Sequence, residues 1–183
     1  MSHVLFEEDG GFKAASILSD AGASLQIEYG SGRRAKIKSS HVVLRFESPD
    51  PVTMMAEATA MAAGIDLDFL WECAPQEEFG FQALADEYFG RQPGAAEATS
   101  LLLRLHGAPV YFHRKGRGRF RPAPPDVLKA ALAAVERKRQ LELRIESDAQ
   151  MLLERRLPEA IGRQAAFLLV KPDKQSAEYR ALD

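Results

Sequence analysis

A single cysteine, Cys73, in a chain of 183 residues leaves no internal disulfide and no multi-cysteine metal site, which suits a reducing cytoplasmic compartment. Cys73 also has no histidine near it and sits beside Trp71 in an apolar helical stretch, so it reads as a buried structural thiol. The four histidines, His3, His41, His106 and His113, lack the short pairing that zinc sites use. No apolar run approaches the length of a membrane span, and the acidic start MSHVLFEEDGG does not read as a signal peptide. Neither GxxxxGK[ST] nor GxGxxG occurs. The carboxylate groups Asp66-Leu67-Asp68, Glu77-Glu78 and Asp86-Glu87 fall near helix starts or on an acidic helix face, where they cap or favour the dipole. These absences leave no catalytic constellation and point to a binding module.

What the chain does have is segregated charge. The formal net charge is only −2, yet Asp50 to Thr99 holds ten acids and one base, Arg91, whereas Ser100 to Pro125 holds six bases and no acid. Within the basic block, VYFHRKGRGRFR (Val110 to Arg121) places five Arg/Lys and three aromatics around Gly116-x-Gly118. Extended-favouring residues flanking a short glycine loop predict a β-hairpin. Arg114, Lys115, Arg117, Arg119 and Arg121 would neutralise phosphates, and Tyr111, Phe112 or Phe120 would stack on bases. Side-chain alternation turns at least one ring on each strand inward. The competing reading is a solvated surface hairpin that touches no nucleic acid.

From His3 to Phe46, short alternating segments are punctuated by Asp9-Gly10-Gly11, Asp20-Ala21-Gly22 and Gly30-Ser31-Gly32, the spacing of a small β-barrel or sheet. Leu25, Ile27 and Tyr29 share a face with Ala35 and Ile37, and Val42, Leu44 and Phe46 complete it. Arg34, Lys36 and Lys38 then align on the opposite face, either as a second phosphate track or as an ordinary exposed strand face. Ser48-Pro49-Asp50-Pro51 breaks the pattern and is the first expected boundary. Helices follow over Val52–Ala63, from Asp66 through Trp71, over Glu77–Phe89 and over Ala95–His106. Met54, Met55 and Met61 read as core filling. Helices closing on a basic ribbon give the element order of a winged helix. Its recognition position, however, offers Glu97, Thr99, Ser100, Leu103 and Arg104, a poor set for the major groove.

Pro122-Ala123-Pro124-Pro125 is the second boundary. Asp126 is expected to cap a helix that lasts until Pro158. The seam Leu128, Leu132, Val135 is interrupted by Lys138 and Arg139, which excludes a sustained coiled coil. A shorter helix through Leu169 and a polar tail from Lys171 complete the expectation. The fold class is therefore α+β: a small β-barrel (1–48), a winged-helix domain (50–122) and a helical extension (123–183).

The strand Gly32 to Lys38 (GRRAKIK) resembles the front end of bacterial ribonuclease II-type (RNB-family) exoribonucleases. So do DLDFLWE (Asp66 to Glu72) and EFGFQALADEYFG (Glu78 to Gly90), and the resemblance continues through Leu103–Pro122 and Ala131–Arg139. In that family these parts precede a magnesium-dependent catalytic domain that degrades single-stranded RNA from the 3′ end. No aspartate cluster of that kind occurs in this sequence, so no catalytic residue and no magnesium site carries over. The resemblance implies a cytoplasmic, non-catalytic RNA-handling region whose partners are single-stranded RNA and a ribonuclease catalytic domain, in a truncated piece or a short gene product. Two other expectations stand beside it: a winged-helix DNA-binding regulator, and a docking module that packs on a catalytic domain and binds no nucleic acid.

Overall fold

The computed structural model describes residues 1–170 and 172–182. It is an α+β structure that divides into two compact units, Met1–Pro124 and Pro125–Asp183, and the division falls inside the proline-rich spacer.

The first unit begins with five antiparallel strands, β1 (His3–Glu8), β2 (Gly11–Asp20), β3 (Ser24–Glu28), β4 (Arg34–Lys38) and β5 (Val42–Phe46), in the order β4-β3-β2-β1-β5. The Asp9-Gly10 pair closes β1 onto β2 with both residues at positive φ (52° and 74°), the geometry that favours two-residue hairpins. The sheet is open and does not close into the expected barrel. The chain leaves β4 through a 3-10 turn (Ser39–His41) and enters β5, which pairs with β1, so β4 and β5 remain separate edges.

The sheet separates two cores, and β1 is buried on both faces. Val4 and Phe6 pack with Ala15, Leu25, Ile27 and Ile37, whereas Leu5 packs with Phe46 and the helices that follow. This corrects the expected single face for Val42, Leu44 and Phe46. The β1–β5 register shifts between Leu5 and Phe6, so Val42 meets the first core while Leu44 and Phe46 meet the second.

The Ser48–Pro51 break contains a helix start. Asp50 accepts from the amides of Val52 (3.0 Å) and Thr53 (3.2 Å) and opens α1 (Pro51–Ala63) with proline at the first helical position. Asp66 accepts from Phe69 N at 2.9 Å and caps α2 (Leu67–Cys73). The last turn of α2 directs Leu70 and Ala74 inward and leaves Cys73 exposed, contrary to the buried thiol expected. Of the three methionines expected to fill the core, Met54 is buried and Met55 half-buried, but Met61 is exposed.

The helix expected from Glu77 starts only at α3 (Phe81–Phe89), because Phe79 and Gly80 form a short strand, β6. β6 pairs with β8 (Arg119–Pro122), which pairs with β7 (Phe112–Gly116), giving a second sheet of order β6-β8-β7. Burial of the Phe79 ring, 6.2 Å from Phe112 and 6.4 Å from Phe120, outweighs the helical pattern around it. Leu5 and Phe46 share one core with these rings and the helices, so sheet and helices on either side of the Ser48–Pro51 break pack as one body.

Helix α4 (Ala95–His106) buries the expected stripe of Ala98, Leu101, Leu102 and Leu105, and also Thr99 and Ser100. Ser100 Oγ donates to Glu97 O at 2.7 Å, whereas Thr99 Oγ1 has no hydrogen-bond partner among the described residues. A buried unpaired hydroxyl costs free energy that an isosteric methyl does not. Thr99→Val is therefore expected to stabilise the first unit by about 1 kcal/mol. The check is the urea midpoint followed by Trp71 fluorescence; a lowered midpoint would mean the hydroxyl is satisfied.

The second unit consists of α5 (Pro125–Leu153), α6 (Glu159–Val170) and α7 (Ala177–Leu182). Asp126 lies in the first turn of α5 rather than capping it, and the helix ends at Leu153, ahead of Pro158, with Arg155 at positive φ. The polar tail expected from Lys171 contains α7; Lys171 itself lies outside the described residues. Ala177 and Ala181 pack against Ile145 and Ile161, and Arg144 reaches Glu178 at 2.7 Å while Arg180 reaches Glu142 at 2.9 Å. So short a helix is marginal alone and is held by this packing.

Candidate nucleic-acid interface

Arg117 and Gly118 occupy the tip of the basic hairpin, both at positive φ (52° and 69°). This is the two-residue turn whose twist matches antiparallel strands. The tip is tied down: Phe81 N donates to Gly118 O at 2.9 Å, and the Gly118 α-carbon faces the Phe81 ring and Val43 of β5. The hairpin therefore lies beside the first sheet.

That placement creates a cleft of about 730 Å³. Lys36 and Lys38 of β4, His41 of the 3-10 turn and Arg117 of the hairpin line it together with Glu7, Glu8 and Asp9 at the β1–β2 turn. Two basic segments far apart in sequence thus meet at one cavity. Its volume falls within the range of about 300–1,000 Å³ usual for ligand sites.

The other basic residues divide into engaged and free. Arg34 pairs with Glu28 at 2.8 Å, Arg119 with Glu78 at 2.5 Å, and Arg114 donates to the His106 carbonyl at 2.7 Å. Lys36, Lys38, Lys115, Arg117 and Arg121 are exposed and have no carboxylate partner among the described residues. On the opposite side Glu8 is neutralised locally. Lys13 lies 2.5 Å away and Tyr29 donates at 3.1 Å, and these bonds hold the carboxyl below its usual range. Burial and the nearby Arg114 hold the His106 imidazole below its ordinary value, which favours the neutral ring that meets Phe12 edge-on.

The expected stacking role of the aromatics meets an obstacle in the packing. Phe112 and Phe120 are 0% and 2% exposed, respectively, as parts of the core beneath the hairpin. Tyr111 is half-buried and donates to Asp68 Oδ1 at 2.8 Å. Burial and the Asp68 charge push its phenol up to about 12. No face of either phenylalanine is open to a base, so the hairpin offers charge rather than stacking. The recognition position is closed in the same way. Thr99 and Ser100 lie inside, and Arg104 Nε donates to Ile65 O at 2.8 Å.

Nothing in the sequence pointed to a shared site for His41, Glu7, Glu8 and Asp9. The Asp9-Gly10 turn was visible as punctuation, but only tertiary packing brings it opposite Arg117. Among the described residues no group of His, Cys, Asp and Glu could hold a metal ion, and no helix is long and apolar enough to cross a membrane. No protein-family model, curated protein or solved structure matches the chain.

Proposed function

We propose that this chain is a non-catalytic, cytoplasmic RNA-binding region of a ribonuclease II-like 3′–5′ exoribonuclease, and that it holds single-stranded RNA in the cleft between β4 and the hairpin tip. The observation that carries the proposal is the convergence of Lys36, Lys38 and Arg117, unpaired and exposed, on one cavity. Phosphate neutralisation needs clustered cations that are not already held in ion pairs, and among the described residues these three are in none. Lys115 and Arg121 extend the positive surface along the hairpin. The winged-helix reading draws support from the order α2-β6-α3-α4-β7-β8, in which the strand before α3 joins the hairpin as its third member. The packing of α4 counts against a DNA regulator, because Thr99 and Ser100 of the recognition position face inward and Arg104 is held by the Ile65 carbonyl. The magnesium chemistry of the resembled enzymes would belong to the catalytic domain, the second partner in this reading.

Fluorescence anisotropy with labelled single-stranded RNA and matched duplex DNA tests the proposal. Three phosphates neutralised on a single strand give a log–log salt slope of about −2, or about a 20-fold loss of affinity between 50 and 200 mM salt. The combined variant K36A/K38A/R117A is expected to bind at least about tenfold more weakly at low salt and to flatten that slope. Its unfolding midpoint should stay near that of the parent, because all three side chains are exposed. An unchanged affinity in the variant rejects the cleft. Binding to neither nucleic acid by the folded chain favours the docking module instead.

A further inference from the structure

The acidic side of the cleft needs a reason, since carboxylates beside a phosphate track repel the ligand. Glu8 is already occupied by Lys13 and Tyr29. Glu7 is half-buried at the cleft and makes no ion pair among the described residues. Asp9 is held at the outermost point of the β1–β2 turn with its side chain 88% exposed, and its nearest cation, Lys13, is 3.9 Å away. Cations and hydrogen-bond acceptors thus face a single cavity from different elements.

A ligand suited to both must carry an anion and, alongside it, neutral hydrogen-bond donors. A ribonucleotide strand has this character: phosphates along the backbone, and a 2′-hydroxyl on each sugar that a deoxyribonucleotide lacks. We propose that the cleft discriminates RNA from DNA, with Glu7 and Asp9 accepting hydrogen bonds from ribose 2′-hydroxyls while Lys36, Lys38 and Arg117 hold the adjoining phosphates. The inference rests on the RNA-binding reading and deepens it. The carboxylates weaken phosphate binding generally, and only a strand that donates to them recovers the loss. Their charge therefore acts against DNA as well as for RNA.

The test compares three labelled strands of equal length: oligouridine, oligodeoxyuridine, and 2′-O-methyl oligouridine, whose ribose oxygen cannot donate. Uracil lacks an exocyclic amino group, which removes one competing donor from all three. The parent chain is expected to bind oligouridine about tenfold more tightly than either other strand, the scale of one hydrogen bond to a charged group. In the variant E7Q/D9N, loss of repulsion raises the affinity for oligodeoxyuridine and the preference for RNA narrows to about twofold. Asparagine tolerates the positive φ of position 9, so the turn is retained. Equal affinity of the parent for all three strands, or a preference unchanged in the variant, overturns discrimination and leaves RNA binding standing. Binding of none of them overturns the interface itself.

Discussion

Replacing Phe120 with alanine is expected to destabilise the first unit by about 3–5 kcal/mol, the cost of emptying a fully enclosed aromatic site. Phe120 is 2% exposed, pairs across the ladder with Phe79 and with Arg114, and lies 6.4 Å from the Phe79 ring. The lost ring would leave a cavity where β6, β8 and the helices converge, and close packing prevents its neighbours from filling it without strain. Arg121, the next residue on the same strand, is exposed and without a carboxylate partner, so Arg121→Ala should change stability by no more than about 0.5 kcal/mol. Urea unfolding followed through Trp71, the sole tryptophan, reads the effect in the right unit. Its indole nitrogen is bonded to Ala123 O, 2.9 Å away at the end of the hairpin. RNA affinity separates two roles for the ring. A stacking residue replaced by alanine would lose affinity with stability intact; the buried ring predicts the reverse order, with stability lost first.

That distinction marks the limit of what the sequence disclosed. Alternation and glycine punctuation marked short strands between His3 and Phe46, the Ser48–Pro51 break marked where helices begin, and Asp66 and the apolar stripe of Ala95–His106 located two of them, because these signals are local. The charge pattern of the hairpin and of β4 was equally legible, and Arg34, Lys36 and Lys38 are exposed as alternation requires. Three things were not local. Two residues, Phe79 and Gly80, are too few to display a period, so their pairing with β8 was hidden beneath a helical pattern. Alternation turns a ring on each hairpin strand inward, as Phe112 and Phe120 are, but the completeness of their burial depends on the third strand and the helices beneath, which the hairpin alone does not reveal. The helix Ala177–Leu182 exists by packing on Ile145 and Ile161, distant residues that no window of sequence connects to it. The cleft belongs to the same class, since its two basic walls are each readable and their meeting is a tertiary event.

What makes them meet is Gly118, and Gly118→Val is the substitution that should break both stability and binding. A β-carbon at this position would stand 2.7 Å from the Phe81 ring and 3.0 Å from Val43, and φ is +69°. The left-handed backbone costs a side-chain-bearing residue about 1–2 kcal/mol. Forcing volume against a packed ring adds about 1–3 kcal/mol. Phe81 opens α3 and donates to the Gly118 carbonyl, so it cannot retreat without loosening that bond, and Val43 belongs to a sheet strand. The expected response is displacement of the tip, with a total cost of about 2–5 kcal/mol in the urea midpoint. Arg117 adjoins the displaced residue and would leave the cleft, so the RNA affinity proposed for the cleft should fall even without urea, where the chain remains folded. Gly116→Ala is the matched control. It too sits at positive φ, 82°, but nothing lies within 4 Å of its added β-carbon. It should carry only the backbone penalty of about 1–2 kcal/mol and keep Arg117 near Lys36 and Lys38. Equal affinities for the two variants would mean that close packing of the tip does not position the RNA contact; a selective loss in Gly118→Val would tie binding to the seating of the hairpin on β5.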